Sequence, residues 1–113
     1  MTEVKNDIYY LMKVIKDIDH ILKHTKNITC NELELNEVLL DSVVFRLIQI
    51  SENIDNVSFI YKEKHPSIPW KDIKGFRNRL VHDYGNVNLK FIYDTIKMDL
   101  PSLRKIIEDD INK

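Results

Sequence analysis

Arg77, His82 and Tyr84 stand in the order R-x-x-x-x-H-x-Y, inside the stretch Gly75-Phe-Arg-Asn-Arg-Leu-Val-His-Asp-Tyr-Gly85. This stretch holds both glycines of the chain and two of its four arginines, whereas the remaining positive charge comes mostly from thirteen lysines. Arginine supplies what lysine cannot, a planar fork of donors that grips a phosphate and a charge that is never lost. Histidine, with an ordinary pKa of about 6.5, can take or give a proton near neutrality. Without a thiol or serine nucleophile beside them, these two side chains suit cleavage of RNA, whose 2′-hydroxyl is a nucleophile already present in the substrate. His82 would accept or donate the proton and Arg77 would stabilise the charged phosphorane. That chemistry calls for no metal and no cofactor, and DNA, which lacks the hydroxyl, would be spared. The same residues also admit a bland reading, in which Arg77 makes an intramolecular salt bridge, His82 ends a helix and Tyr84 packs beside Phe76 or Leu80.

Helical geometry constrains how these residues can cooperate. Residues five apart on an unbroken helix lie about 140° apart around the axis, so Arg77 and His82 do not aim at one point. Asn78, four residues before His82, does share its face. Either the helix loosens near His82, or Arg77 bends round, or a second copy packed about a two-fold axis brings two arginines and two histidines into one cleft.

The elements that must position this stretch are helical. Two glycines and three prolines are too few for the turns of an all-β chain, and apolar residues recur at helical intervals. A first amphipathic helix is expected from about Val4 to Lys26, with Ile8, Leu11, Met12, Ile15, Ile18 and Leu22 on its apolar stripe. Asn31, followed by Glu34, resembles a capped start for a long second helix that runs to about Lys64 and turns Leu40, Val43, Leu47, Ile50, Ile54, Val57 and Tyr61 inward. Pro66 and Pro69 then force an extended connector. A third helix from Pro69 or Trp70 to about Gly85 would carry Ile73, Phe76 and Leu80 inward, with Gly75 permitting close helix approach and Gly85 stopping the helix. Asn86 or Asn88 can cap a fourth helix, which Pro101 should kink or split. The expected fold class is all-α, an antiparallel up-and-down bundle of four to five helices.

At 113 residues the chain fits one domain with a modest core. Cys30 is the lone cysteine and no apolar run is long enough to cross a membrane, so the expectation is a soluble cytoplasmic protein without a disulfide or a signal peptide. A formal net charge of -1 excludes a general nucleic-acid coating protein, so any such contact must be local. Charge is indeed uneven: residues 31–63 carry seven acids against Arg46 and Lys62, whereas residues 71–84 carry Lys71, Lys74, Arg77 and Arg79 against Asp72 and Asp83.

The run Pro66-Ser-Ile-Pro-Trp-Lys-Asp-Ile-Lys-Gly-Phe-Arg-Asn-Arg-Leu-Val-His-Asp-Tyr84 resembles the HepT-like branch of the HEPN superfamily, where P-x-I-P-W, I-x-G-x-R-N and R-x-x-x-x-H-x-Y follow in this order. Arg46 with Ile50-Ser51-Glu52 is similar to that family's second-helix pattern. Downstream, Val87-Asn88-Leu89 fits its V-D-L with Asn88 replacing Asp, and Asp99-Leu100-Pro101 matches its D-L-P. The resemblance implies one HEPN-like helical domain over residues 1–113 and a metal-independent endoribonuclease toxin of a toxin–antitoxin system. It also implies a homodimer whose interface cleft is lined by Arg77 and His82, with Asn78 in support. Tyr84 matches the position at which the family's partner, a minimal nucleotidyltransferase antitoxin, attaches AMP, and the added phosphate would block RNA. A different class of function remains open beside it, a non-catalytic helical module that binds the nucleotidyltransferase or its nucleotide.

Other polar residues have quieter readings. Arg46 and Glu52, set in an apolar helix, need partners, which points to salt bridges or a dimer interface. His20 and His24 have the spacing of a metal pair but no cysteine or carboxylate cluster to complete it, so an exposed helix face is expected. Trp70 should anchor the connector to the core.

Overall fold

The computed structural model describes the backbone of residues 2–82 and 88–112, and the side chains of 6–80 and 88–112. Among these residues there are helices and no strand, so the fold is all-α, an antiparallel helical bundle. Helix α1 spans Thr2–His24 and buries Leu11, Val14, Ile18 and Ile21. Its buried stripe centres near Val14 and Ile18, which leaves Met12, expected inside, on the exposed side. Thr25 closes the helix by donating its hydroxyl to the Ile21 carbonyl at 2.7 Å. Asn27 then turns the chain with φ 64°, a left-handed conformation that asparagine tolerates better than most residues.

The long second helix expected from Asn31 to Lys64 is three helices: α2 (Cys30–Leu35), α3 (Glu37–Asp55) and α4 (Phe59–Lys64). Its start is set by Thr29 with Glu32, not by Asn31 with Glu34. The Glu32 amide donates to Thr29 Oγ1 and the Thr29 amide donates to Glu32 Oε1, each at 3.1 Å. Asn36 interrupts the run because its Oδ1 accepts from the Leu39 amide at 3.1 Å and so caps α3. The second break, at Asn56–Ser58, depends on α1. Asp7 accepts from both the amide and the hydroxyl of Ser58 at 2.7 Å, and Ser58 Oγ in turn accepts from the Tyr61 amide to start α4. The inward positions Val43, Leu47, Ile50, Ile54, Val57 and Tyr61 are buried as the periodicity predicts.

The proline connector is pinned at both ends. Trp70 donates its indole N–H to the His65 carbonyl at 3.0 Å and sets its ring edge-on to Tyr61, which places the start of α5 (Trp70–His82). Ile73 and Leu80 are buried and Phe76 is partly buried. Asn88, not Asn86, is the cap that can be seen for α6 (Leu89–Asp94): its Oδ1 accepts from the Lys90 and Phe91 amides. Asn86 and Gly85 lie outside the described residues. A π-helical segment, Thr95–Asp99, joins α6 to α7 (Leu100–Ile111). Here Pro101, expected to kink or split the helix, stands in the first turn of α7, just after the π-helical segment that divides α7 from α6. The wider turn lets the Leu100 amide reach back to Thr95, just before the residue that has no N–H to give.

Helix α1 packs on α3 and α7, and α3 packs on α5. The pairs Asp17–Arg46 and Asp7–Ser58 run in opposite order along the chain, as antiparallel α1 and α3 require. A continuous apolar core joins them, from Leu11 and Ile18 through Leu47 and Ile54 to Leu80, Ile96 and Ile107. Gly75 does not serve close packing: a Cβ there would meet nothing within 4 Å.

Candidate functional site

Helix α5 remains helical through His82, so positions 77 and 82 keep the divergence of about 140° that ideal geometry gives them. Loosening of the helix does not resolve that divergence. Arg77 turns towards α3, where its Nη2 and Nε donate to the same Glu52 carboxylate oxygen at 2.7 and 3.2 Å. The two side chains are 33% and 45% exposed, so this is a surface pair at the edge of the α3–α5 seam. Glu52, by hydrogen bond and by charge, holds the Arg77 guanidinium above its ordinary pKa, with a smaller contribution from Asp55. Asn78 is exposed on the outward side of α5. The His82 side chain and all of Tyr84 lie outside the described residues.

The salt bridge expected for Glu52 is therefore present, and so is that of Arg46, which donates to Asp17 on α1 at 2.7 Å. What the sequence left out is that Glu52 reaches the arginine of the motif. The available signal was an acid at i+7 from Phe45 on the outer face of α3. On that face Val38, Phe45 and Glu52 recur every seven residues, within about 20° per step, and form one stripe. Val38 is 81% exposed and Phe45 is 58% exposed. An apolar surface thus leads along α3 to the Arg77–Glu52 pair.

The opposite side of α5 is different. Arg79 places its guanidinium 3.9 Å from the Phe91 ring centroid, at the edge of a groove of about 570 Å³ between α3, α5 and α6–α7. Lys71 and Arg79, both exposed, line this groove and keep positive charge on this side, while Glu52 offsets the charge of Arg77.

The two histidines of α1 stand side by side. Their ring centroids are 4.4 Å apart, and His20 is pushed below its ordinary value by burial, with Arg46 and His24 adding to the effect. Among the described residues no group of three or more histidines, cysteines or carboxylates could hold a metal ion. Nor is any helix among them long and apolar enough to cross a membrane.

A polar cluster that the sequence did not suggest joins α4 to α7. Asp110, with a side chain 1% exposed, accepts from the Tyr61 hydroxyl at 2.9 Å and stands 2.7 Å from His65 Nδ1. The Tyr61 and His65 rings stack with centroids 3.9 Å apart. This cluster fixes the turn from which the connector and α5 depart.

Known proteins resemble the chain over most of its length. A putative RNase of Caldanaerobacter subterraneus subsp. tengcongensis is 31% identical over 104 residues, covering 92% of this chain and 93% of that protein. A putative RNase of Methanocaldococcus jannaschii is 28% identical over 99 residues, covering 88% and 91%. A probable ribonuclease HepT of Thermococcus cleftensis is 30% identical over 95 residues, covering 84% and 86%. No solved structure matches. The family model described as ribonuclease HepT-like matches residues 14–109, which takes in α5, both partners of the Arg77–Glu52 pair and the π-helical segment, and the chain belongs to that family.

Proposed function

We propose that the protein is a metal-independent endoribonuclease toxin of a toxin–antitoxin system that acts as a homodimer and is neutralised by a nucleotidyltransferase antitoxin. The observation that carries this reading is the R-x-x-x-x-H-x-Y motif of a ribonuclease HepT-like chain, whose arginine and histidine stand on α5 with the arginine at the end of an exposed apolar stripe. In the reaction, the 2′-hydroxyl loses its proton and O2′ bonds to the adjacent phosphorus. The P–O5′ bond breaks and O5′ takes a proton, leaving a 2′,3′-cyclic phosphate and a free 5′-hydroxyl. Arg77 stabilises the charge that builds on the phosphorane, and His82 moves the proton. Asn78 supports His82 from the preceding turn.

Two features support homodimerisation. Arg77 and His82 diverge on one helix, and Val38 and Phe45 leave an apolar stripe uncovered beside Arg77. A two-fold contact on that stripe brings two arginines together and lets one histidine act as base while the other acts as acid. Neutralisation would follow from AMP transfer to Tyr84, two residues beyond His82, which adds a negative phosphate where RNA must bind.

The test uses purified protein and a mixed RNA substrate in excess chelator. Wild type should cleave, and Arg77→Ala and His82→Ala should each lose cleavage while remaining folded and dimeric. Normal cleavage by both variants would remove the assignment. If wild type is inert towards RNA but binds the nucleotidyltransferase tightly, the non-catalytic module is the better reading. Mass spectrometry after co-expression with the antitoxin should find AMP on Tyr84, and an unmodified Tyr84 in a neutralised complex would eliminate that mechanism.

A further inference from the structure

The contact between Arg77 and Glu52 is specific in how it divides the guanidinium. Nε and Nη2 both donate to one Glu52 oxygen, at 3.2 and 2.7 Å, so the lateral edge of the fork is engaged. The terminal edge, formed by Nη1 and the second hydrogen of Nη2, has no partner among the described residues. An arginine fixed by one edge offers the other in a set direction, and two parallel donors on that edge match two phosphate oxygens.

We infer that Glu52 is the positioning residue of the ribonuclease site: it locks Arg77 through its lateral edge so that the terminal edge meets the scissile phosphate of RNA. The inference rests on the ribonuclease reading and assigns Glu52 no contact with substrate. A partly exposed arginine free in solution samples many rotamers and must lose them when it grips a phosphate. The contact with α3 removes that freedom before RNA arrives, because Glu52 is carried on a helix whose opposite face, through Leu47, Ile50 and Ile54, is buried in the core. Orientation of this kind acts on the transition state, where a misplaced group costs most.

The same carboxylate has an opposite effect on binding. Its charge lies beside the guanidinium, and Asp55, three residues further along α3, adds to the negative field. An incoming phosphate is therefore repelled by the group that aims the arginine. Orientation should thus appear in kcat, and the charge should weaken binding and appear in KM. A carboxylate that only held α3 to α5 would produce neither signature, since its loss would lower the folded fraction and nothing else.

The experiment compares Glu52→Ala with Glu52→Gln in the full-length protein. Glutamine keeps an oxygen that can accept from Nε and Nη2 but carries no charge. Per folded molecule, Glu52→Ala should lower kcat by about 10- to 100-fold without raising KM. Glu52→Gln should keep kcat within about 5-fold of wild type and lower KM, because the repulsion is gone while the aim remains. Wild-type kcat in Glu52→Ala, or equal losses in the two variants, would overturn the inference while leaving the nuclease assignment intact. A second readout is independent of cleavage: the Arg77 Nε–Hε signal in nitrogen-15 NMR should be sharp in wild type and Glu52→Gln and broadened by exchange in Glu52→Ala. An unchanged signal in Glu52→Ala would also overturn the inference. If wild type cleaves no RNA, the ribonuclease reading falls, and this signal still decides whether Glu52 orients Arg77.

Discussion

Glu52 on α3 and Asp110 on α7 each hold a partner at 2.7 Å, yet the Glu52 side chain is 45% exposed and that of Asp110 is 1% exposed. Around Asp110 the Tyr61 hydroxyl and the half-buried His65 Nδ1 converge on a carboxylate out of reach of water, so removing it strands the buried Tyr61 hydroxyl and takes a partner from His65. Around Glu52 water can replace whatever is lost, and an exposed ion pair contributes little to folding. Burial therefore sorts two similar contacts into different tasks. The Asp110 cluster holds the turn that launches α5, and the Arg77–Glu52 pair lies open to solvent, where the proposed function would use it.

The sharpest way to break this comparison is at the motif itself. Arg77→Ala or His82→Ala should reduce RNA cleavage by about 1000-fold, with the circular dichroism spectrum and thermal midpoint of wild type. A large fall in the midpoint for Arg77→Ala would show that the exposed pair is structural after all. Next in size, Phe45→Lys should convert the proposed dimer to a monomer in sedimentation velocity and lose cleavage with it, because a lysine cannot be buried against its own copy without a partner. A Phe45→Lys dimer with full activity would move the two-fold contact to another face.

The buried side of the comparison is tested by stability. Asp110→Ala should cost about 3 kcal/mol in urea unfolding, the loss expected when one partner of a buried polar cluster is removed. Asp7→Ala should cost about 2 kcal/mol, since the amide and hydroxyl of Ser58 lose a charged acceptor. Both should leave cleavage per folded molecule close to wild type, provided α5 keeps its place. The smallest expected effect is that of Tyr61→Phe, about 1 kcal/mol at neutral pH for one hydrogen bond. Burial first, and then the bond to Asp110, raise the Tyr61 hydroxyl above its ordinary pKa. A group raised in the folded state adds stability below its unfolded pKa of about 10 and loses it as the pH climbs further. Wild type should therefore lose stability above about pH 10 faster than Tyr61→Phe, and the gap between them should close.

Much of the fold was legible because apolar periodicity is a local property. Leu47, Ile50, Ile54, Ile73 and Leu80 point inward where a 3.6-residue repeat says they must. The breaks were harder. Asn36 and Ser58 interrupt what reads as one helix, since a capping side chain competes with the helix only when its surroundings favour the break, and for Ser58 those surroundings are Asp7, far away in sequence. Met12 faces outward because the stripe of α1 is set by how α1 meets α3 and α7, which periodicity alone leaves free by one position. Pro101 reads as a kink or a split, and the form the division takes, a π-helical segment just before it, is what the sequence does not show.

The candidate site divides in the same way. Arg77 and His82 were marked by residue type and spacing, as groups able to stabilise developing charge and to move a proton, whereas Asn78 and Tyr84 took their expected roles from the family resemblance. Glu52 could be read only as an acid in need of a partner.

The sequence by itself determined the helical class, most of the inward positions and the identity of the motif, all of which depend on residues within a turn or two of one another. Only the tertiary structure decided that α3 ends at Asp55, that Asp110 closes over Tyr61 and His65, and that the motif arginine is met by Glu52, twenty-five residues earlier. These are contacts between helices, and their geometry depends on how the whole apolar core packs, which no local pattern encodes.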